Sequence, residues 1–167
     1  MNRLVVYYSY TGNTKKVVSM IQQRISCDVL EIQPTHPFSQ NYQEVVDEYQ
    51  NNSIDNKEVE IEPIHFNLEK YDEIIIGTPV WWYTISPPII TFLKKYDLTG
   101  KTIYPFATNA GWLGHSFTDI EKLCPNSKVA PGMNIVFDAN TRDKCITSEE
   151  KINNWIDHLS KKEEKTK

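Results

Sequence analysis

The run Ile74-Ile75-Ile76-Gly77-Thr78 limits the architecture more than any other stretch of this chain. Its aliphatic residues are consecutive, with no polar residue alternating between them. Such a strand is buried on both faces, which suits a parallel sheet covered by helices on either side. Other segments fit that frame. Leu4 to Tyr8 is a short apolar and aromatic run, read as a central strand. Val17, Val18, Ile21 and Ile25 follow at helical spacing and place a helix over 15–24 with one buried face. Val29, Leu30 and Ile32 mark a second strand over 28–32, ended by Pro34, His36 and Pro37.

Residues 38–57 are polar, and Tyr42, Val45, Val46 and Tyr49 place a helical excursion among them. Val59, Ile61 and Ile64 alternate with Glu60 and Glu62, as in an extended piece at an edge. Pro87-Pro88 opens a helix through Tyr96. Thr102 to Ala107 is the next strand, and Ser116 is expected to cap a helix through Leu123. Val129 to Phe137 is the last strand, interrupted by Pro131-Gly132. Thr147-x-x-Glu150 reads as a capping box before a helix that buries Ile152, Trp155, Ile156 and Leu159. Strand and helix thus alternate about five times. The expectation is one α/β domain over 1–160: a doubly wound, five-stranded parallel sheet with helices on both faces. A charged, solvated tail over 161–167 would follow.

A chain of 167 residues is long enough for one real core. Its net charge of -4 and lack of an arginine-rich patch argue against nucleic acid. No apolar run reaches membrane-spanning length and no charged leader precedes one, so a soluble cytoplasmic protein is expected. Cys27, Cys124 and Cys145 are widely spaced and include no CxxC pair, which reads as inert thiols. His36, His65 and His158 are scattered and give no metal-ligand spacing.

Three loops leave the carboxyl ends of strands, where open sheets of this kind bind ligands. The first, Ser9-Tyr10-Thr11-Gly12-Asn13-Thr14, is rich in hydroxyls and precedes a helix. The N–H groups and partial positive charge of that helix suit a phosphate, although Thr14 could equally be a plain N-cap. The second, Thr78-Pro79-Val80-Trp81-Trp82-Tyr83-Thr84, is aromatic. The third, Thr108-Asn109-Ala110-Gly111-Trp112-Leu113-Gly114-His115, pairs small residues with an indole. A ligand with a phosphate tail and a planar ring fits that distribution, since aromatic contacts add about 0.5–1.5 kcal/mol beyond area burial. Residues 74–93 contain no Asp, Glu, Lys or Arg, and within 103–118 only His115 could carry charge. A ring held there would meet uncharged surroundings that disfavour an added negative charge, and so a low reduction potential is expected. A sheet order 2-1-3-4-5 would bring the first two loops together across one crevice.

These three loops, taken in order, resemble those of flavodoxins: Ser9-x-Thr11-Gly12-Asn13-Thr14, then Pro79-x-Trp81-Trp82, then Thr108-Asn109-Ala110-Gly111-Trp112. The resemblance is nearest to bacterial flavodoxin-like proteins with a Trp-Trp second loop, and it covers roughly Leu4 to Leu159. It implies the order 2-1-3-4-5 and bound FMN at the crevice. By that resemblance Ser9, Thr11, Gly12, Asn13 and Thr14 hold the phosphate. Thr78, Pro79, Val80, Trp81, Trp82 and Tyr83 line one side of the ring; Asn109, Ala110, Gly111, Trp112 and Gly114 line the other. Tyr10 and Thr108 belong to the same cofactor-binding set. Position 83 is Tyr where similar sequences often carry Gly, so positive φ is costlier there. The chain lacks the long acidic insertion of larger flavodoxins.

The expected function is a monomeric electron carrier that moves electrons at low potential between a reductase and an acceptor protein. Its acidic surface would steer it to basic partners, with Asp72, Glu73, Asp97, Asp119, Glu121, Asp138 and Asp143 as candidate rim residues. The alternative is an FMN-dependent NAD(P)H oxidoreductase acting on quinones or similar acceptors, in which His115 could relay protons. No second phosphate motif supports it. A response regulator needs acidic residues where Ser9 and Thr11 stand. The spacing of a P-loop NTPase and the glycines of a hydrolase elbow are both missing.

Overall fold

The computed structural model describes residues 2–161. The sheet core follows the aliphatic runs. Strand β1 (Arg3–Tyr7) pairs in parallel with β2 (Asp28–Glu31) on one side and with β3 (Glu73–Trp81) on the other. β3 pairs in parallel with β5 (Thr102–Asn109). Beyond β5 lie β6 (Lys128–Val129) and β7 (Met133–Val136), both parallel to it. Pro131-Gly132 separates these two pieces, because proline supplies no N–H to a ladder. Counted as one strand, they give the spatial order β2-β1-β3-β5-β6/β7, which is the 2-1-3-4-5 that the resemblance implies when parallel strands alone are counted in chain order. One strand was not anticipated: β4 (Thr84–Ile85) folds back antiparallel on the end of β3.

Helices α1 (Asn13–Arg24) and α5 (Glu149–Ser160) cover one face of the sheet. Val5, Ile75 and Phe106 from the strands meet Val17, Ile21, Ile152 and Ile156 there. On the other face Leu4, Ile74, Ile76 and Ile103 pack against Ile89, Phe92 and Ile120. The last three come from α3 (Pro87–Lys95) and α4 (Ser116–Leu123). A short helix α2 (Tyr42–Tyr49) sits in the polar excursion, started by Asn41, whose side chain accepts from the N–H groups of Gln43 and Glu44. The apolar stripe of α2 is narrow, with Val45 buried, so its place is set by contacts at its ends.

Several local expectations are corrected. α1 begins at Asn13 with Gly12 as its N-cap at φ 99°, so Thr14 is no cap. The Thr14 hydroxyl is buried and bonds the Thr108 hydroxyl at 2.9 Å. Ser116 is the first residue of α4 rather than its cap, and its hydroxyl donates to Leu113 O. The expected capping box does not form: Ser148 caps α5 by accepting from Lys151 N, while Thr147 Oγ1 accepts from Val136 N in β7. The 59–64 piece contributes one antiparallel bridge, Ile61 to Pro34, and no strand. Beyond Lys161 the expected charged tail lies outside the described residues.

Candidate functional site

The carboxyl ends of β1, β3 and β5 open onto a cleft of about 430 Å³, within the ~300–1,000 Å³ range of small-molecule sites. Tyr10, Thr11 and Asn13 reach it from the first loop, residues 79–83 from the second, and Thr108, Asn109, Ala110 and Trp112 from the third. The three loops therefore converge as their content suggests.

The second loop is built from strain. Trp81 pairs with Thr84, leaving Trp82 and Tyr83 as the two-residue turn of the β3–β4 hairpin. Both have positive φ, 54° and 65°. A tight hairpin demands this of both central residues and usually meets the demand with Asn or Gly. The surroundings hold the turn in place. His115 N donates to Tyr83 O at 2.7 Å, and Gly114 packs so close that a Cβ there would meet Tyr83 O at 2.1 Å. Asn52 Nδ2 donates to both Trp81 O and Ile85 O at 3.0 Å. Thr84 Oγ1 donates to the buried carboxylate of Asp119 at 2.5 Å.

The adjacent tryptophans part company. Trp81 enters an aromatic cluster with Phe38, Tyr49 and Tyr10, at centroid distances of 4.9, 5.4 and 5.6 Å. Edge-on and tilted contacts of this kind suit the ring quadrupole. Burial raises the phenol pKa of Tyr10 and Tyr49, with neighbouring phenols and carboxylates adding to the effect. Trp82, Tyr83 and Trp112 instead remain 39%, 53% and 62% exposed. Three large aromatic groups at one mouth are an apolar feature that a ligand would cover.

Six residues of the expected set stand behind the cleft rather than on it. Ser9 Oγ accepts from Lys15 N at 3.3 Å and fastens the first loop to α1. Gly12 gives that loop its turn, and Thr14 ties it to β5 through Thr108. Thr78 Oγ1 accepts from Ser86 N, bracing the second loop. Gly111 turns the third loop at φ 115° while its N–H donates to Asn109 Oδ1. Gly114 is the contact beneath Tyr83.

The sequence did not point to two further walls. Tyr42, Val46 and Tyr49 of α2 line the cleft, and so do Phe137, Asp138 and Arg142 after β7. The cleft as a whole is therefore not uncharged, since residues distant in sequence bring one carboxylate and one guanidinium to it. The N–H groups of Asn140 and Thr141 hold the Asp138 carboxylate below its usual range. Only positional signals were available: the helical stripe of α2, and a polar loop leaving a carboxyl end. Two candidate rim acids are not on the surface. Glu73 is buried against Arg3, and Asp119 is buried between Thr84 and His115 Nδ1. His115 thus buttresses the second loop from behind and does not line the cleft. Among the described residues no group of His, Cys, Asp and Glu is arranged to hold a metal ion. No described helix is long and apolar enough to cross a membrane.

Known proteins give the same architecture. A Bacteroides eggerthii protein described as a "putative flavoprotein" is similar at 28% identity and TM-score 0.75, over 95% of this chain and 98% of that one. A flavoprotein in complex with FMN from Lactobacillus acidophilus is similar at 26% identity and TM-score 0.62, over 80% and 92%. Oxidised Flavodoxin 2 from Bacillus cereus, at 16% identity and TM-score 0.55 over 97% and 99%, shares the fold. A search of curated proteins finds no sequence match. A family model described as Flavodoxin matches residues 2–159, nearly the whole described chain, and the protein belongs to the flavodoxin family.

Proposed function

We propose that the chain binds FMN in this cleft and carries electrons between redox proteins. The donor set fits the cofactor. The N-terminal N–H groups of α1 and the Thr11 hydroxyl suit a phosphate. The polar floor at Thr108 and Asn109 suits a polyol chain, and the indoles of Trp82 and Trp112 suit a flat ring. Bound FMN supplies the redox chemistry, accepting and releasing electrons. The chain's own residues fix where it sits. Ser9, Thr14 and Thr108 hold the phosphate loop against the sheet. Asn52, His115 and Asp119 hold the strained turn, so Trp82 and Tyr83 are aimed before any ligand arrives.

The single observation that carries the carrier reading is the exposure of Trp82, Tyr83 and Trp112 at the mouth. A ring held among them would keep an edge at the surface, where a partner protein exchanges electrons without a substrate entering. The net charge of -4 supports basic partners, with the exposed Asp143 on offer. The protein would act as a monomer, so that this face stays open. No Asp, Glu, Lys, Arg or His lies in the 78–84 and 108–112 stretches that would flank the ring, which supports a low potential for the added charge.

Stopped-flow measurement on the purified, FMN-loaded protein tests the reading. NADPH alone is expected to be oxidised slowly, and a flavodoxin reductase to reduce the protein rapidly. Rapid NADPH oxidation by the protein alone, with a quinone as acceptor, would instead establish the oxidoreductase alternative. A potentiometric titration should give a potential below that of free FMN.

A further inference from the structure

We propose that Arg142 and Tyr42 form a clasp at the phosphate end of the cleft, and that Arg142 is the cation selecting a phosphorylated flavin over riboflavin. This rests on the FMN reading above. Arg142 is the only cationic side chain lining the cleft among the described residues. Its backbone is held against the phosphate loop: Asn13 Nδ2, at the first position of α1, donates to Arg142 O at 2.5 Å. Lys16 Nζ donates to Asp143 O at 3.4 Å, and Arg142 N to Asp138 O at 2.8 Å, fastening the same loop twice more. Arg142 adopts φ 65°, a conformation that a long side chain takes only when its surroundings impose it and that recurs at ligand clamps.

The guanidinium lies over the Tyr42 ring, 4.2 Å from its centroid. Tyr42 reaches the cleft from the other side, on α2, whose approach is tied to the first loop by Tyr10 OH donating to Ser39 O at 2.5 Å. Segments 100 residues apart thus meet across the loop. Stacking occupies only the flat face of the guanidinium. Its N–H donors lie in the plane and stay available for two phosphate oxygens. No hydrogen bond or ion pair among the described residues takes them. A cation would also strengthen the site. The phosphate of FMN is anionic, Asp138 lines the same cleft with its carboxylate ionised, and the chain as a whole is acidic. The N–H groups and partial charge at the start of α1 already favour a phosphate, and the guanidinium adds a full opposing charge to them.

Affinities of the apoprotein for FMN and riboflavin, measured by flavin fluorescence at low and high salt, test the clasp. Arg142→Gly removes the side chain while suiting the left-handed backbone, so the fold is retained or stabilised, and thermal melting checks this. FMN affinity should fall about tenfold or more, as expected of one charged hydrogen bond. Riboflavin affinity should stay within about twofold, and much of the salt dependence of FMN binding should vanish. Arg142→Lys should fall between, since it keeps charge but loses the planar fork. Equal loss for both flavins, or no loss for FMN, would overturn the clasp while leaving the FMN reading intact. Failure of the unaltered protein to bind FMN would overturn both.

Discussion

Trp82 and Tyr83 are the residues at which local preference and structure disagree most. Bulky side chains avoid positive φ, yet both adopt it because the hairpin needs it and because His115, Gly114, Asn52 and Asp119 enforce it. Tyr83→Gly should therefore stabilise the apoprotein by about 1 kcal/mol in urea denaturation, the scale of the left-handed penalty. Its exposed ring has little burial to lose. Gly114→Ala should do the reverse, since its new methyl would strike the Tyr83 backbone. It is expected to cost more than about 1 kcal/mol and to weaken flavin binding by shifting the turn. A neutral Gly114→Ala would show that the loop gives way easily. The sequence announced the aromatic loop and the unusual Tyr83, because composition and position are local. It concealed Arg142 and offered Asp138 only as a rim acid; both reach the cleft through pairing of β7 with β5.

At the scale of elements, continuous aliphatic runs revealed the parallel strands, and helical spacing revealed the helices. Both signals are the direct imprint of burial. The two-residue β4 was not legible, since a strand so short has no period. Helix starts were misplaced by one residue at α4 and α5, because neighbouring Thr147 and Ser148 can each cap and only tertiary contact chooses: β7 claims Thr147. The candidate acids divided for a similar reason. Arg3 and Tyr104 make a buried site for Glu73 that no local pattern marks. Between α1 and α5, Arg24 makes a two-pronged bond to Asp157 at 2.8 and 2.7 Å, which lowers the Asp157 pKa. A carboxyl depressed in the folded state contributes stability above its unfolded pKa and loses it as pH falls through the folded one. Asp157→Asn should thus lower the urea midpoint slightly at neutral pH. The gap from the unaltered protein should close below the ordinary carboxylate range. A gap that persists in strong acid would place the effect elsewhere.

Across the whole molecule, a parallel sheet of order β2-β1-β3-β5-β6/β7 creates one crevice, and three unlike loops fill it with complementary chemistry. That convergence was readable from loop content because each loop follows a recognisable strand. The contribution of α2 was not, since its place depends on contacts such as Tyr10 with Ser39 and Trp81 with Tyr49. The account stands on occupation of that crevice by FMN. Titration of the apoprotein with FMN, followed by flavin fluorescence, measures this directly. The expected result is saturable quenching at one FMN per chain, as the ring meets Trp82 and Trp112, with much weaker binding in a Trp82→Ala, Trp112→Ala double variant. Unquenched fluorescence at saturating FMN, or unchanged binding by the double variant, would contradict it.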